Sequence, residues 1–221
     1  KNANTSEYLF FLSKLHAVEH LAHDHGEWPL WNPLELTGMP LMANYQSAVF
    51  LPLRAPHWFF EPFVADTVFL LFRLWFCGLT AYLCARGLGL SPGPSRFFSL
   101  AWMASGVCIN WFYWPLPEVL AMLPLILLGA EYIVLGRYLK GFATLTVGAA
   151  LILLTGHPET AFMGCAGVGL YFFLRLLSEK RSARPLWKPV AAAGGAWALA
   201  LLICAPQILP FFEYLQHSNI A

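Results

Sequence analysis

The side chains of this 221-residue sequence that could do chemistry fall in a few places. Glu118 and Glu159 each follow a proline, Pro117 and Pro158, at an expected helix start, and His157 stands beside the second of them. A carboxylate placed this way suits general-base work or the orientation of a hydroxyl, and an imidazole can donate to a developing oxygen anion. The same positions also suit plain capping, with proline in the first turn and an acid against the positive end of the helix dipole. Under either reading the glutamates already neutralise those helix ends, which weakens them as anion sites. His16, His20, His23, Asp24 and His25 form a second group. Their i, i+4, i+7 spacing can chelate a divalent ion, but neither a cysteine nor a fixed third ligand joins them, so a polar helix face is the simpler reading. Asp66 and Arg73 share one face of an apolar segment, where charge is costly. Two readings of Arg73 stand: a partner carboxylate on another helix, or a lipid phosphate entering sideways.

The elements that must position these groups are membrane spans. Apolar runs at about 63–86, 96–113, 117–136, 139–156, 158–177 and 188–205 are long enough, or nearly so, to cross roughly 30 Å of hydrocarbon at about 1.5 Å per residue. Composition agrees, with 58% apolar, 16% aromatic and 11% charged residues and a mean hydropathy of +0.59, beyond what a soluble domain of this size carries. A net charge of +1 offers no basic surface for nucleic acid. The cations are unevenly shared. Arg86 and Arg96 stand between the first two runs, Arg137 and Lys140 between the third and fourth, and Arg175, Lys180, Arg181, Arg184 and Lys188 between the fifth and sixth. The positive-inside rule makes these connections cytoplasmic and the remaining segments external. The cysteines, Cys77, Cys84, Cys108, Cys165 and Cys204, sit in or beside apolar runs and read as small core residues. Glu131 reads as a side chain reaching toward the cytoplasmic side near Arg137.

Three regions follow: an external loop over 1–62, a six-span domain over 63–205, and the start of another external segment over 206–221. Within the loop, residues 5–25 fit an amphipathic helix, with Leu12, Leu15, Val18 and Leu21 or Ala22 on one face and Lys14, Glu19, His20 and Asp24 elsewhere. It is too charged to span and is expected to lie at the external interface. Prolines from Pro29 to Pro56 then alternate with Trp28, Trp31, Tyr45, Trp58, Phe59 and Phe60, a composition that forbids regular helix and suits the headgroup zone. The chain starts at Lys1 with no export signal for this loop, so we expect a piece of a longer protein with a transmembrane helix upstream.

The run Pro29-Leu30-Trp31-Asn32-Pro33, followed by Gly38-Met39-Pro40-Leu41, Ala43-Asn44-Tyr45-Gln46-Ser47-Ala48 and Pro52-Leu53, resembles the first external loop of the bacterial YfhO-like membrane proteins. Tyr82 to Ser91, the turn Gly156-His157-Pro158-Glu159-Thr160, and Pro206-Gln207-Ile208-Leu209-Pro210 with Glu213 and Ser218 fit in the same order. The resemblance covers essentially the whole chain, and its specificity lies in the first loop. It implies an all-α, polytopic glycosyltransferase of the C-type superfamily in the bacterial cytoplasmic membrane. Such an enzyme moves sugar from a polyprenyl-phosphate donor to an envelope polymer or lipid acceptor on the external face, with membrane lipid as its other partner.

The catalytic candidates are Glu7, which the resemblance points to, and Glu159 and His157, read from their turn. The substrate-binding candidates are Trp31, Asn32, Asn44, Gln46 and Gln207 from the resembling stretches, with Arg73 and Glu118 read from their placement in the apolar segment and at a helix start. The family places an acid in this loop soon after its first membrane helix, as base or metal-linked carboxylate. This chain departs there: the usual aspartate has no clear counterpart, so either Glu7 substitutes or the carboxylate lies upstream of Lys1. No cofactor is implied beyond a divalent metal as an open option. A lipid or small-molecule transporter, with Pro124 and Gly194-Gly195 as helix interruptions, and a non-catalytic envelope assembly protein are the competing classes.

Overall fold

The computed structural model describes residues 13–34, 37–179 and 185–217. It is helical nearly throughout: α1 Ser13–Asp24, α2 Pro62–Gly87, α3 Pro92–Met103, α4 Gly106–Asn110, α5 Leu116–Val134, α6 Tyr138–Leu153, α7 Pro158–Ser178, α8 Trp187–Ile203 and α9 Ala205–His217. One two-residue hairpin pairs β1 Trp31–Asn32 with β2 Met39–Pro40, antiparallel, Trp31 opposite Pro40. Single-turn 3₁₀ segments cover Tyr45–Ser47 and, more extended, Pro52–Trp58.

Helix α5 is the hub. It packs against α2, α6 and α7, and 78% of its apolar window is buried against 50% for α2 and 6% for α7. Its contact with α6 is a close crossing at glycine. A Cβ on Gly129 would lie 2.5 Å from the Leu145 amide nitrogen, and one on Gly141 2.7 Å from that of Ile133, so only glycine lets the two backbones meet. Prolines mark the first turn of α2, α3, α5 and α7, where a missing N–H costs nothing. Pro124 is different, because inside α5 it cannot donate to the Leu120 carbonyl. The indole Nε1 of Trp102, from α3, donates to that carbonyl at 3.1 Å, and Thr80 Oγ1, from α2, donates to the neighbouring Ala121 carbonyl at 2.7 Å. Neighbouring helices thus replace what the proline removes.

By length and composition, three helices among the described residues can cross a membrane, α2, α5 and α7, and a fourth span results if the bent pair α8–α9 counts as one. The helical class therefore stands, with the six expected spans resolved differently. The run expected as one span over 96–113 is divided: α3 ends at Met103, and Ser105 caps the five-residue α4 by accepting from the Cys108 N–H at 3.4 Å. At about 1.5 Å per residue neither piece covers 30 Å. Helix α6, with 16 residues, is short as well. At the other end α8 does not run out into a loop at Pro206; it turns by 71° into α9. Pro206 cannot donate back into α8, and its ring opposes the carbonyl one turn earlier. The amphipathic helix forms over Ser13–Asp24, but its inner face differs from the expected one: Val18 and Glu19 are both buried while Leu21 is 46% exposed. The part of the expected segment before Ser13 lies outside the described residues.

Candidate functional site

At the end of the bundle where α2 and α7 begin, the loop folds onto the helix ends and buries a cluster of charges. Arg54, from the Pro52–Trp58 turn, and Arg73, from α2, are each 2% exposed, and Glu118, from the first turn of α5, is 1% exposed. Glu118 Oε1 lies 3.6 Å from Arg54 Nη2 and 3.6 Å from Arg73 Nη1. Glu19 of α1, equally buried, approaches Arg54 Nη1 at 3.9 Å. Two guanidinium groups thus face two carboxylates in a neutral set, as burial of charge demands. The Phe69 ring lies between the arginines, with Cζ of Arg54 at 5.3 Å and of Arg73 at 5.4 Å from its centroid.

Arg73 also donates to the Trp114 carbonyl at 2.9 Å and to the Phe112 carbonyl. The α4–α5 connection is thereby tied to α2. Glu118 Oε2 accepts from the Gly156 N–H at 3.4 Å, which reaches the turn before α7. His57 is 1% exposed; its Nε2 lies 2.9 Å from Asp66 Oδ1 and its Nδ1 3.1 Å from the Arg54 carbonyl oxygen. Burial pushes the Glu19 carboxyl above the ordinary carboxylate range, with Asp66 and Glu118 adding to the rise and Arg54 and His57 opposing it.

The loop motif holds backbone in place. Asn32 is fully buried, and its Oδ1 accepts from the Leu34 N–H at 3.0 Å. Asn44 Oδ1 caps the following turn by accepting from the Gln46 N–H at 3.1 Å. Trp31 is exposed, and its indole covers Gly38, where φ is +108° and a Cβ would stand 2.7 Å from the ring. Tyr45 donates its hydroxyl to the Leu153 carbonyl at the end of α6 and meets Phe211 of α9 edge-on at 4.9 Å. The Gln46 carbonyl lies so close to Gly156 that a Cβ there would be 2.9 Å away. Gln207 Nε2 donates to the Met42 carbonyl at 2.8 Å, while its buried Oε1 has no hydrogen-bond partner among the described residues. The motif residues therefore gather the ends of α6, α7 and α9.

His157 and Glu159 are the accessible members of the set. The His157 Nδ1 caps α7, accepting from the Thr160 N–H at 3.4 Å, with Thr160 Oγ1 at 2.9 Å and Glu159 Oε2 at 3.3 Å. The Glu159 side chain is 73% exposed. Glu7 lies outside the described residues. Among the described residues no three His, Cys, Asp or Glu side chains converge as a metal site. His20 instead pairs with Asp24 at 3.3 Å, and the His23 ring lies tilted against Trp58 with ring centroids 4.4 Å apart.

Arg73 takes a carboxylate from another helix as its partner, one of its two expected readings. Glu131 corrects the expectation of a side chain reaching out near Arg137. It is 5% exposed and clamped between helices, with Arg175 Nη2 at 2.6 Å from Oε1, and Arg175 Nε at 3.0 Å and the Tyr171 hydroxyl at 2.6 Å from Oε2. A bidentate guanidinium contact outcompetes hydration at a helix flank. Arg54, His57 and the burial of Glu19 belong to the site without having stood out in the sequence. Arg54 did carry a signal: it is the one Lys or Arg between Tyr45 and Phe72, in an apolar, proline-rich run, where a buried partner is needed. Comparison with protein-family models, curated proteins and solved structures found no match.

Proposed function

We propose that this chain is part of a membrane glycosyltransferase that passes a polyprenyl-phosphate-linked sugar to an envelope acceptor at the face carrying the loop. The observation that supports it is the way the loop motif that resembles YfhO-like proteins folds: it binds helix ends together and sets the His157–Glu159 turn beside a buried Glu19–Arg54–Glu118–Arg73 cluster. In this reading the cluster is a positioning core. Its arginines are already occupied by carboxylates, so they fix the Gly156 turn through Glu118 rather than hold the departing phosphate. The accessible Glu159, or Glu7 in the first loop, deprotonates the acceptor hydroxyl, and the half-buried His157 faces the developing charge. The alternation of Lys/Arg connections supports the reading in which this face lies outside the bacterial cytoplasmic membrane.

The test is transfer from a radiolabelled polyprenyl-phosphate sugar to membrane acceptors by the full-length protein in vesicles. Loss of a general base costs about 10²–10⁴-fold. Glu7→Gln and Glu159→Gln identify the base by which of them loses that much with membrane insertion intact. Activity in both variants moves the carboxylate upstream of Lys1, and absence of transfer by the wild type sinks the enzyme reading. A non-catalytic assembly role is favoured by one observation, the internal neutralisation of both arginines. It predicts no transfer with any donor and loss of a partner when the loop is altered.

A further inference from the structure

Beside the charge cluster the loop carries a pocket of opposite character, about 340 Å³ in volume. Its floor is Val49 and Leu51, both buried, and its rim is Trp28, Pro52, Ala55, Trp58 and Phe59, all exposed. None of the residues lining it is charged. Trp28 and Trp58 meet edge to face at 5.0 Å, so the rim is a rigid aromatic corner. Phe59 is 77% exposed. An uncharged pocket ringed by exposed aromatics is unstable against water and marks an interaction surface.

What meets that surface is indicated by where the chain goes next. Phe60 and Phe63 are exposed and lead into α2, whose exposed residues Val64, Val68, Leu71 and Trp75 repeat at helical spacing as an apolar stripe. Helix α2 has 26 residues, about 39 Å at 1.5 Å per residue, against roughly 30 Å of hydrocarbon. The excess of about 9 Å leaves room for its first turns to stand at the boundary between headgroups and acyl chains, where exposed tryptophan and phenylalanine bury their apolar faces. Charges lie nearby: His20 Nε2 is 3.8 Å from Glu61, and Asp24 is paired to the same histidine. The loop is amphipathic about the α2 entrance, charged toward α1 and apolar along Trp58–Phe60.

We propose that the Trp28–Trp58 pocket is a docking site for the acyl chain of a membrane phospholipid, and that the loop sits on the bilayer through it. The proposal rests on α2 spanning the membrane and is independent of any transferase activity.

The full-length protein, with Cys165→Ala as background, is reconstituted in phosphatidylcholine–phosphatidylglycerol vesicles and spin-labelled singly after Phe59→Cys, Ala55→Cys, Asp24→Cys or Trp75→Cys. All four positions are exposed, and the label at Ala55 reads the pocket with its aromatic rim intact. Collision with dissolved oxygen reports lipid, and collision with a water-soluble nickel chelate reports water. Position 75 should favour oxygen and position 24 nickel. Positions 55 and 59 should favour oxygen several-fold more than position 24 does. Nickel-dominated collisions at 55 and 59 with position 75 in lipid overturn the docking proposal alone. Low collision with both reagents at 55 and 59 also overturns it, because protein then covers the pocket. Nickel-dominated collisions at 75 overturn the spanning of α2 on which it rests.

Discussion

At the scale of single residues, the energetics of the charge cluster turn on compensation. Removing one partner of a buried pair leaves an unpaired charge and costs about 3–5 kcal/mol, whereas replacing both with apolar side chains is close to neutral. Arg73→Met and Glu118→Met should each lower thermal stability in detergent strongly, and the double variant should recover a large part of the loss. Strict additivity would mean that the two do not interact across their 3.6 Å separation. Glu19 predicts a pH effect. Its folded carboxyl titrates above the unfolded value of about 4.3, so the folded state binds the extra proton. The stability this contributes is complete below about pH 4.3 and disappears as pH rises through the folded value. Relative to Glu19→Gln, the wild type should therefore lose stability as pH rises from about 4, measured as the difference in Tm across the titration; a difference that grows in the wild type's favour would contradict the burial argument.

At the scale of elements, the break in α5 is managed by its neighbours. Because Pro124 leaves the Leu120 carbonyl without its helical donor, the Trp102 indole supplies one. Trp102→Phe should cost about 1 kcal/mol from that hydrogen bond, beyond any packing change. In a Pro124→Ala background the helical N–H is restored, and the same substitution should cost less. Equal costs in the two backgrounds, read from thermal unfolding in detergent, would show that the indole is held by packing alone. Helix α7 contrasts with α5. Few of its residues are buried, and its polar ties are Arg175 and Tyr171 to Glu131 at one end and the Gly156–His157 cap region at the other. Along its length it meets α5 on one narrow face, where Gly164 lies close against Leu123, and the rest of its surface remains open to lipid or to further protein.

At the scale of the whole molecule, the Lys/Arg connections and the folded loop lie at opposite ends of the helices, which ties topology to function. Glu159→Cys should react in intact cells with an impermeant thiol reagent, and Lys188→Cys should react only after permeabilisation. Both positions are exposed in the fold, so a negative result reports sidedness and not burial. The reverse pattern would move the loop to the cytoplasm and remove the basis for transfer to an envelope acceptor.

The sequence by itself determined what depends on local composition. Helical class, spanning length in α2, α5 and α7, and the helix starts beside Pro117 and at Pro158 all follow from apolar runs and from proline's missing N–H. The division of 96–113 was also locally encoded, in Ser105-Gly106, but hydropathy averaged over a window hides a capping serine. Tertiary structure alone decided which charges are partners. Glu131 and Arg175 lie 44 residues apart, and nothing in either neighbourhood names the other. The inward turn of Glu19 is likewise beyond helical periodicity, because an acid is drawn inside only where Arg54 arrives from a different segment to meet it. Pairing energy belongs to distance in space, and that distance is set when α1, the loop, α2 and α5 pack together.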